Sequence, residues 1–116
     1  MNQVNSTSSA PVDEQLIAYN TRDLEGFIAA YSPEVVMEDG EGNLILKGHD
    51  KMRERYGALF EASPKLHCRI VNRIRIGKYV MDEEEVIGRK GSLTPTHAVV
   101  VYRVEGDKIV HVRLFT

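Results

Sequence analysis

A chain of 116 residues with 15 Lys and Arg against 17 Asp and Glu, a net charge of −2, is long enough for one domain with its own core. It is too nearly neutral to offer nucleic acid or an anionic membrane an electrostatic footprint. The single Cys68 excludes an internal disulfide, and no stretch approaches the roughly 20 apolar residues of a membrane span. Without a basic segment leading into an apolar run at the N-terminus, a reduced, cytoplasmic setting is expected.

Residues 1–10 hold almost no large apolar side chains and are expected to form a disordered tail, so that the folded domain covers residues 11–116. Pro11, followed by Asp13 and Glu14, suits the first turn of a helix running to about Asn20. Its apolar face is Val12, Leu16 and Tyr19, widened by Ile17, with Gln15 at the edge of the stripe. Asp23 caps a second helix that sets Leu24, Phe27, Ile28 and Tyr31 on one face, and Pro33 stops it. Val35 to Asp39 reads as a strand, Asp39-Gly40-Glu41-Gly42 as a turn, and Asn43 to Lys47 as a returning strand. A third helix opens after Gly48, placing Met52, Tyr56, Leu59 and Phe60 together, and ends at Pro64.

Beyond Pro64 the apolar period changes from 3.6 to 2, predicting strands over 66–76, 79–87, 96–105 and 108–115. A two-residue hairpin at Gly77-Lys78 sets Ile76 against Tyr79, Ile74 against Met81, Asn72 against Glu83 and Arg73 against Asp82. The apolar side of this ladder, with Ile74, Ile76 and Met81, is assigned to the core, which turns Glu83 inward and Asp82 outward. Ala98 to Val104 is apolar on both faces. A second copy of the sheet is the natural cover for its outer face, so a homodimer is expected. His97 and His111, opposite in parity to Ala98 and Val112, fall on that outer side. The histidines show no metal-ligand spacing, and neither a metal nor a cofactor is expected.

The segments AYNTRDLEGFIAAY, VVMEDG, LKGHDKMRERY and VYRVEGDKIVHVRLF, in this order, resemble the NTF2-like, or SnoaL-like, superfamily, and within it the ketosteroid isomerases. The likeness spans roughly residues 12 to 115. It implies an α+β cone of the NTF2-like (cystatin-like) type, a curved mixed and antiparallel sheet wrapped around three helices. It also implies an internal pocket and dimerisation through the outer face of the sheet. In those isomerases a carboxylate moves a proton beside a ketone, and Asp39 falls on that position. The two donors that stabilise the enolate fall on Gln15 and Val100, of which Val100 can donate nothing. Tyr31 and Tyr56 correspond to supporting tyrosines.

The expected catalytic set is therefore Asp39, Gln15 and Tyr56. Tyr19, Tyr31, Phe60, Glu83, Val100, Tyr102 and Val112 are the expected ligand contacts, for a small apolar compound bearing a carbonyl. Two readings of Asp39 stand side by side: a desolvated base pointing into the pocket, or a turn aspartate accepting backbone N–H groups around Gly40. Glu83 is likewise either a second pocket acid or a solvated rim residue, and Cys68 reads as a small core hydrophobe. The functional readings divide accordingly between an isomerase or cyclase and a binding or dimerisation module without chemistry.

Overall fold

The computed structural model describes residues 9–116. Helices α1 (Ala10–Thr21) and α2 (Leu24–Ala29) form a hairpin, followed by β1 (Tyr31–Asp39), β2 (Leu44–Lys47) and α3 (Gly48–Ala62). Strands β3 (His67–Ile76), β4 (Tyr79–Ile87), β5 (Thr96–Glu105) and β6 (Lys108–Phe115) complete the chain, with a 3-10 turn at Arg89–Gly91. The strands make one six-stranded sheet in the order β2-β1-β6-β5-β4-β3. Among the described residues only the β1–β6 pair is parallel. This is an α+β architecture with the helices on the inner face of a mixed sheet. No helix among the described residues is long and apolar enough to cross a membrane. The expected tail falls mostly on residues 1–8, outside the described residues. Ser9 is already buried, takes a hydrogen bond from Arg75 at 2.8 Å and precedes a helix that opens at Ala10.

On α1 the buried residues are Pro11, Val12, Gln15 and Ala18, whereas Ile17 is 66% exposed. The stripe is thus centred on Gln15, and Ile17 does not widen it. Tyr31 belongs to β1, not to the second helix, which stops at Ala29. Pro33 sits inside β1 because the β1–β6 ladder skips between Tyr31 and Val36, so its missing N–H interrupts no pair.

The core joins Val12, Phe27, Ile28, Met52 and Leu66 to Val35, Val104, Ile109 and Val112 of the sheet, all at most 2% exposed. Burial of each such side chain contributes about 1.5 to 3 kcal/mol. Phe27 lies 4.6 Å from the Tyr56 ring centroid and 5.1 Å from that of Tyr31, binding α2 to α3 and β1. Asn20 accepts from the Cys68 N–H at 2.7 Å and donates to the Cys68 carbonyl at 3.0 Å. An α1 side chain thereby satisfies the backbone N–H and carbonyl of Cys68 on the edge strand β3.

The Gly77-Lys78 hairpin has the expected register, Ile76 opposite Tyr79 and Arg73 opposite Asp82. The faces are the reverse of those expected. Val80, Asp82, Glu84 and Val86 point inward, while Ile74 and Ile76 are 53% and 68% exposed. Pairing with β5 decides this, because Val80, Asp82, Glu84 and Val86 stand opposite Tyr102, Val100, Ala98 and Thr96, all on the helix side of the sheet. Asp82, fully buried, is held by Arg73, whose Nε and Nη2 donate to its two oxygens at 2.6 and 3.0 Å. Arg73 also reaches Asp13 on α1. Glu83 points outward, with its Oε2 2.7 Å from His97 Nε2. His111 meets Glu38 in the same way at 2.8 Å, and Arg113 joins that pair at 3.2 Å.

Candidate functional site

Between the helices and the inner face of the sheet lies a cavity of about 200 Å³. Helix faces contribute Gln15, Leu16, Tyr19, Phe27, Tyr56 and Leu59, and the sheet contributes Tyr31, Met37, Cys68, Glu84, Val100, Tyr102 and Val112. The strand period explains the wall, since Ala98, Val100 and Tyr102 alternate with outward residues and stand beside Glu84 on β4 and Val112 and Leu114 on β6.

A chain of side-chain hydrogen bonds crosses the cavity wall. The Tyr31 hydroxyl donates to Gln15 Oε1 at 3.2 Å, Gln15 Nε2 donates to the Tyr102 hydroxyl at 3.3 Å, and Tyr102 donates to Glu84 Oε2 at 3.3 Å. Gln15 Nε2 also donates to the Val12 carbonyl at 3.0 Å. Both amide hydrogens of Gln15 are thereby committed, leaving none for a substrate oxyanion. Gln15 orients Tyr102 instead.

Glu84 terminates this chain as an acceptor. Burial and the nearby charge of Asp82 push its carboxyl up to about 7, against the smaller opposing effects of hydrogen bonds from Cys68 and Tyr102 and of the Arg73 charge. A carboxyl with that value exchanges protons at neutral pH. Burial raises the Cys68 thiol, and Glu84 raises it further, so Cys68 stays a thiol and serves as a donor. Tyr19 and Tyr56 border the same space, and burial raises both phenols. The Tyr56 hydroxyl donates to Met37 Sδ at 3.5 Å, a weak acceptor.

Asp39 does not line this cavity. Its Oδ1 accepts the N–H groups of Glu41 and Asn43, each at 2.9 Å, and its Oδ2 accepts from Asn43 Nδ2 at 3.2 Å. The Asn43 bonds, with a lesser one from Glu41, hold its carboxyl below the usual range. Of the two readings, the turn aspartate is the one this geometry has. Gly40 serves the same turn by close approach, as a Cβ there would lie 2.6 Å from the Phe115 ring. Glu83 and Phe60 are also absent from the wall. Glu83 faces outward, and Phe60 packs behind Tyr19 at 5.6 Å. Gln15, Tyr19, Tyr31, Tyr56, Val100, Tyr102 and Val112 all stand on the wall. Glu84, which the strand parity had turned outward with Asp82, is the acid that sequence reasoning missed. Val86 beyond it was the available signal, because Val80, Asp82, Glu84 and Val86 alternate toward an apolar end. Among the described residues no cluster of His, Cys, Asp and Glu is arranged to hold a metal ion.

An α+β cone with a tyrosine-rich cavity and one side-chain carboxyl group, Glu84, on the cavity wall among the described residues defines a class of small pocket proteins. The SnoaL-like domain model matches residues 12–112, and the chain belongs to that family. Among solved structures, a cystatin-fold protein from Novosphingobium aromaticivorans superposes with a TM-score of 0.84 at 24% identity, over 99% of this chain and 100% of that one. A putative polyketide cyclase from Sinorhizobium meliloti gives 0.76 at 17% identity, covering 90% of this chain and 93% of its own. An epoxide hydrolase from Mycobacterium tuberculosis gives 0.76 at 17%, covering 91% and 79%. These likenesses establish the NTF2-like fold. No curated protein sequence matches the chain.

Proposed function

We propose that this protein is an isomerase- or cyclase-type enzyme that moves a proton on a small apolar carbonyl compound, with Glu84 as the general acid and base. The observation that carries the reading is Glu84 itself, an inward carboxyl pushed up to about 7 and hydrogen-bonded by Tyr102 on the cavity wall. Ionised Glu84 takes a proton from the carbon next to the carbonyl, electron density moves onto the carbonyl oxygen, and the same carboxyl returns the proton to another carbon. Tyr19, and Tyr56 once its hydroxyl turns from the weak acceptor Met37 Sδ, are the donors on the wall for the developing oxyanion. The part first assigned to Asp39 passes to Glu84, because a carboxylate spent on turn N–H groups and held at low pKa is a weak base. A cyclase and an epoxide hydrolase among the structural neighbours agree with chemistry in a cavity of this kind.

The test is deuterium exchange at the carbon next to the carbonyl of 2-tetralone, followed by NMR in heavy water. The wild-type protein is expected to accelerate exchange, and Glu84→Gln to lose that acceleration on the order of 100-fold or more. Equal rates for the two proteins would overturn the reading in favour of a module that binds without chemistry.

The outer face of the sheet supports a homodimer. Ile74, Met81 and Val101 form a cross-strand row there, next to Ile76 and Tyr79, and Ile76 and Tyr79 are 68% and 42% exposed. Contiguous exposed apolar surface of this kind favours association. Sedimentation of wild type and Ile76→Lys distinguishes the cases: the variant is expected to be monomeric, and an unchanged sedimentation coefficient counts against this face.

A further inference from the structure

The cavity is electrically graded along its length. The inward acids Glu84 and Asp82 lie along β4, and the open end is where the wall residues become exposed, past Val86. There Arg55 of α3 and Arg89 and Lys90 of the 3-10 turn join the wall, beside Thr96 at the start of β5. Among the described residues no carboxylate comes within ion-pair distance of Arg55, Arg89 or Lys90; Arg22 and Arg75 also have none, whereas Arg53, Arg69, Arg73, Arg103 and Arg113 each have at least one. Unpaired cations gathered at a cavity mouth, in a chain whose net charge is −2, are a local departure from the overall balance.

The turn that carries Arg89 and Lys90 is stitched in place. Gly88 has φ +81 and passes so close to the chain that a Cβ there would lie 2.3 Å from the Lys65 carbonyl oxygen. Lys90 takes a left-handed conformation, φ 51 and ψ 35, and its N–H donates at 2.8 Å to Ser63 Oγ, a fully buried residue just after α3. Ser92 N–H closes on the Arg89 carbonyl at 2.8 Å. The guanidinium of Arg89 lies near enough to Tyr19 and Tyr56 to offset part of the burial effect on both phenols, and Arg55 acts likewise on Tyr56. Arg55 and Arg89 therefore stand beside the tyrosine side of the cavity, while Lys90, though exposed, is carried on a turn that is held in place.

We propose that the ligand of this cavity carries an anionic oxygen group, such as a carboxylate, at one end, which Arg55, Arg89 and Lys90 hold at the mouth while the apolar body lies inward against Leu16, Tyr19 and Leu59. The opposite orientation would bring the anion against Glu84 and the charge of Asp82, so the grading of charge also sets the direction of entry. That the inner end bears a carbonyl rests on the proton-transfer reading; the anion at the mouth does not. Guanidinium and ammonium groups suit this task because they form charge-assisted hydrogen bonds to oxyanions.

Titration calorimetry with 2-naphthoate and its neutral, near-isosteric partner 2-naphthamide tests the proposal. The wild-type protein is expected to bind naphthoate about tenfold more tightly at low ionic strength, with the preference shrinking as salt is added. Combined Arg55→Gln, Arg89→Gln and Lys90→Gln substitutions are expected to remove the preference for naphthoate over naphthamide. Equal affinities in the wild type, a preference for the amide, no binding of either probe, or a preference that survives the triple substitution overturns the proposal. The wild-type comparison and its salt dependence stand even where the triple variant folds poorly. Neither probe has an exchangeable hydrogen on a carbon next to its carbonyl, so the result is independent of whether Glu84 exchanges 2-tetralone.

Discussion

Tyr102 donates its hydroxyl to Glu84 at 3.3 Å while accepting from Gln15 at 3.3 Å, so one phenol links a helix α1 amide to the carboxyl on β4. The bond stabilises the ionised form of Glu84 and opposes the larger effects of burial and Asp82. Tyr102→Phe is therefore expected to raise the Glu84 pKa further and move the midpoint of the pH–rate profile for 2-tetralone exchange upward. An unmoved midpoint, with the variant folded, separates Tyr102 from Glu84 ionisation.

The same carboxyl makes stability depend on pH. Its folded-state value of about 7 lies above the ordinary carboxyl value of 4.5, so the folded protein binds the proton more tightly than the unfolded chain. Relative stability from this group is fully present below about 4.5 and is lost as pH rises through about 7, by on the order of 3 kcal/mol. Glu84→Gln removes that loss. Thermal melts of both proteins at pH 5 and pH 8 are expected to show the variant gaining on the wild type at the higher pH, and a pH-independent difference argues that Glu84 is not held near neutrality.

Arg73 compensates a fully buried Asp82 through two hydrogen bonds, at 2.6 and 3.0 Å. Arg73→Met leaves that carboxylate without its partner and is expected to cost about 3 to 5 kcal/mol in denaturant unfolding. Adding Asp82→Asn removes the stranded charge and is expected to recover a substantial part of the loss. A cost under about 1 kcal/mol for the single substitution shows that water or another donor replaces the guanidinium. Asp13, the other partner of Arg73, is 52% exposed in its side chain, and Asp13→Asn is expected to change stability by less than about 1 kcal/mol.

Asp39→Asn is a control on the site assignment. It weakens the hydrogen bonds to Glu41, Asn43 and the Asn43 amide and is expected to lower the melting temperature. Exchange of 2-tetralone is expected to stay within about threefold of wild type. A loss comparable to that of Glu84→Gln returns the basic role to Asp39.

Much of the fold is legible in the residues because it depends on local periods. Leu24, Phe27 and Ile28 mark a helical face, Pro64 a stop, and Gly77-Lys78 a two-residue turn that sets Ile76 opposite Tyr79. The turn at Asp39 is legible in the same way. Its carboxylate had two uses in sequence terms, a base or a cap, and the bonds from Glu41 and Asn43 decide for the cap.

What the sequence by itself determined is the order of elements, the hairpin register, the two apolar faces of Ala98 to Val104 and the tyrosines that end on the cavity wall. Only the tertiary structure decided which side of β4 faces the helices. Both sides of the β3–β4 ladder are plausible insides, since Ile74, Ile76 and Met81 make one face more apolar while Val80 and Val86 flank two acids on the other. A strand alternates with period 2, so the wrong choice inverts every residue on it, and it exchanged Glu83 for Glu84. The choice is made by β5, which lies across from β4 and aligns Glu84 with Ala98, and by Arg73, which makes the burial of Asp82 tolerable. The raised pKa of Glu84 and the gathering of Arg55, Arg89 and Lys90 at the mouth come from the same source, because burial and charge proximity arise between segments distant in the chain.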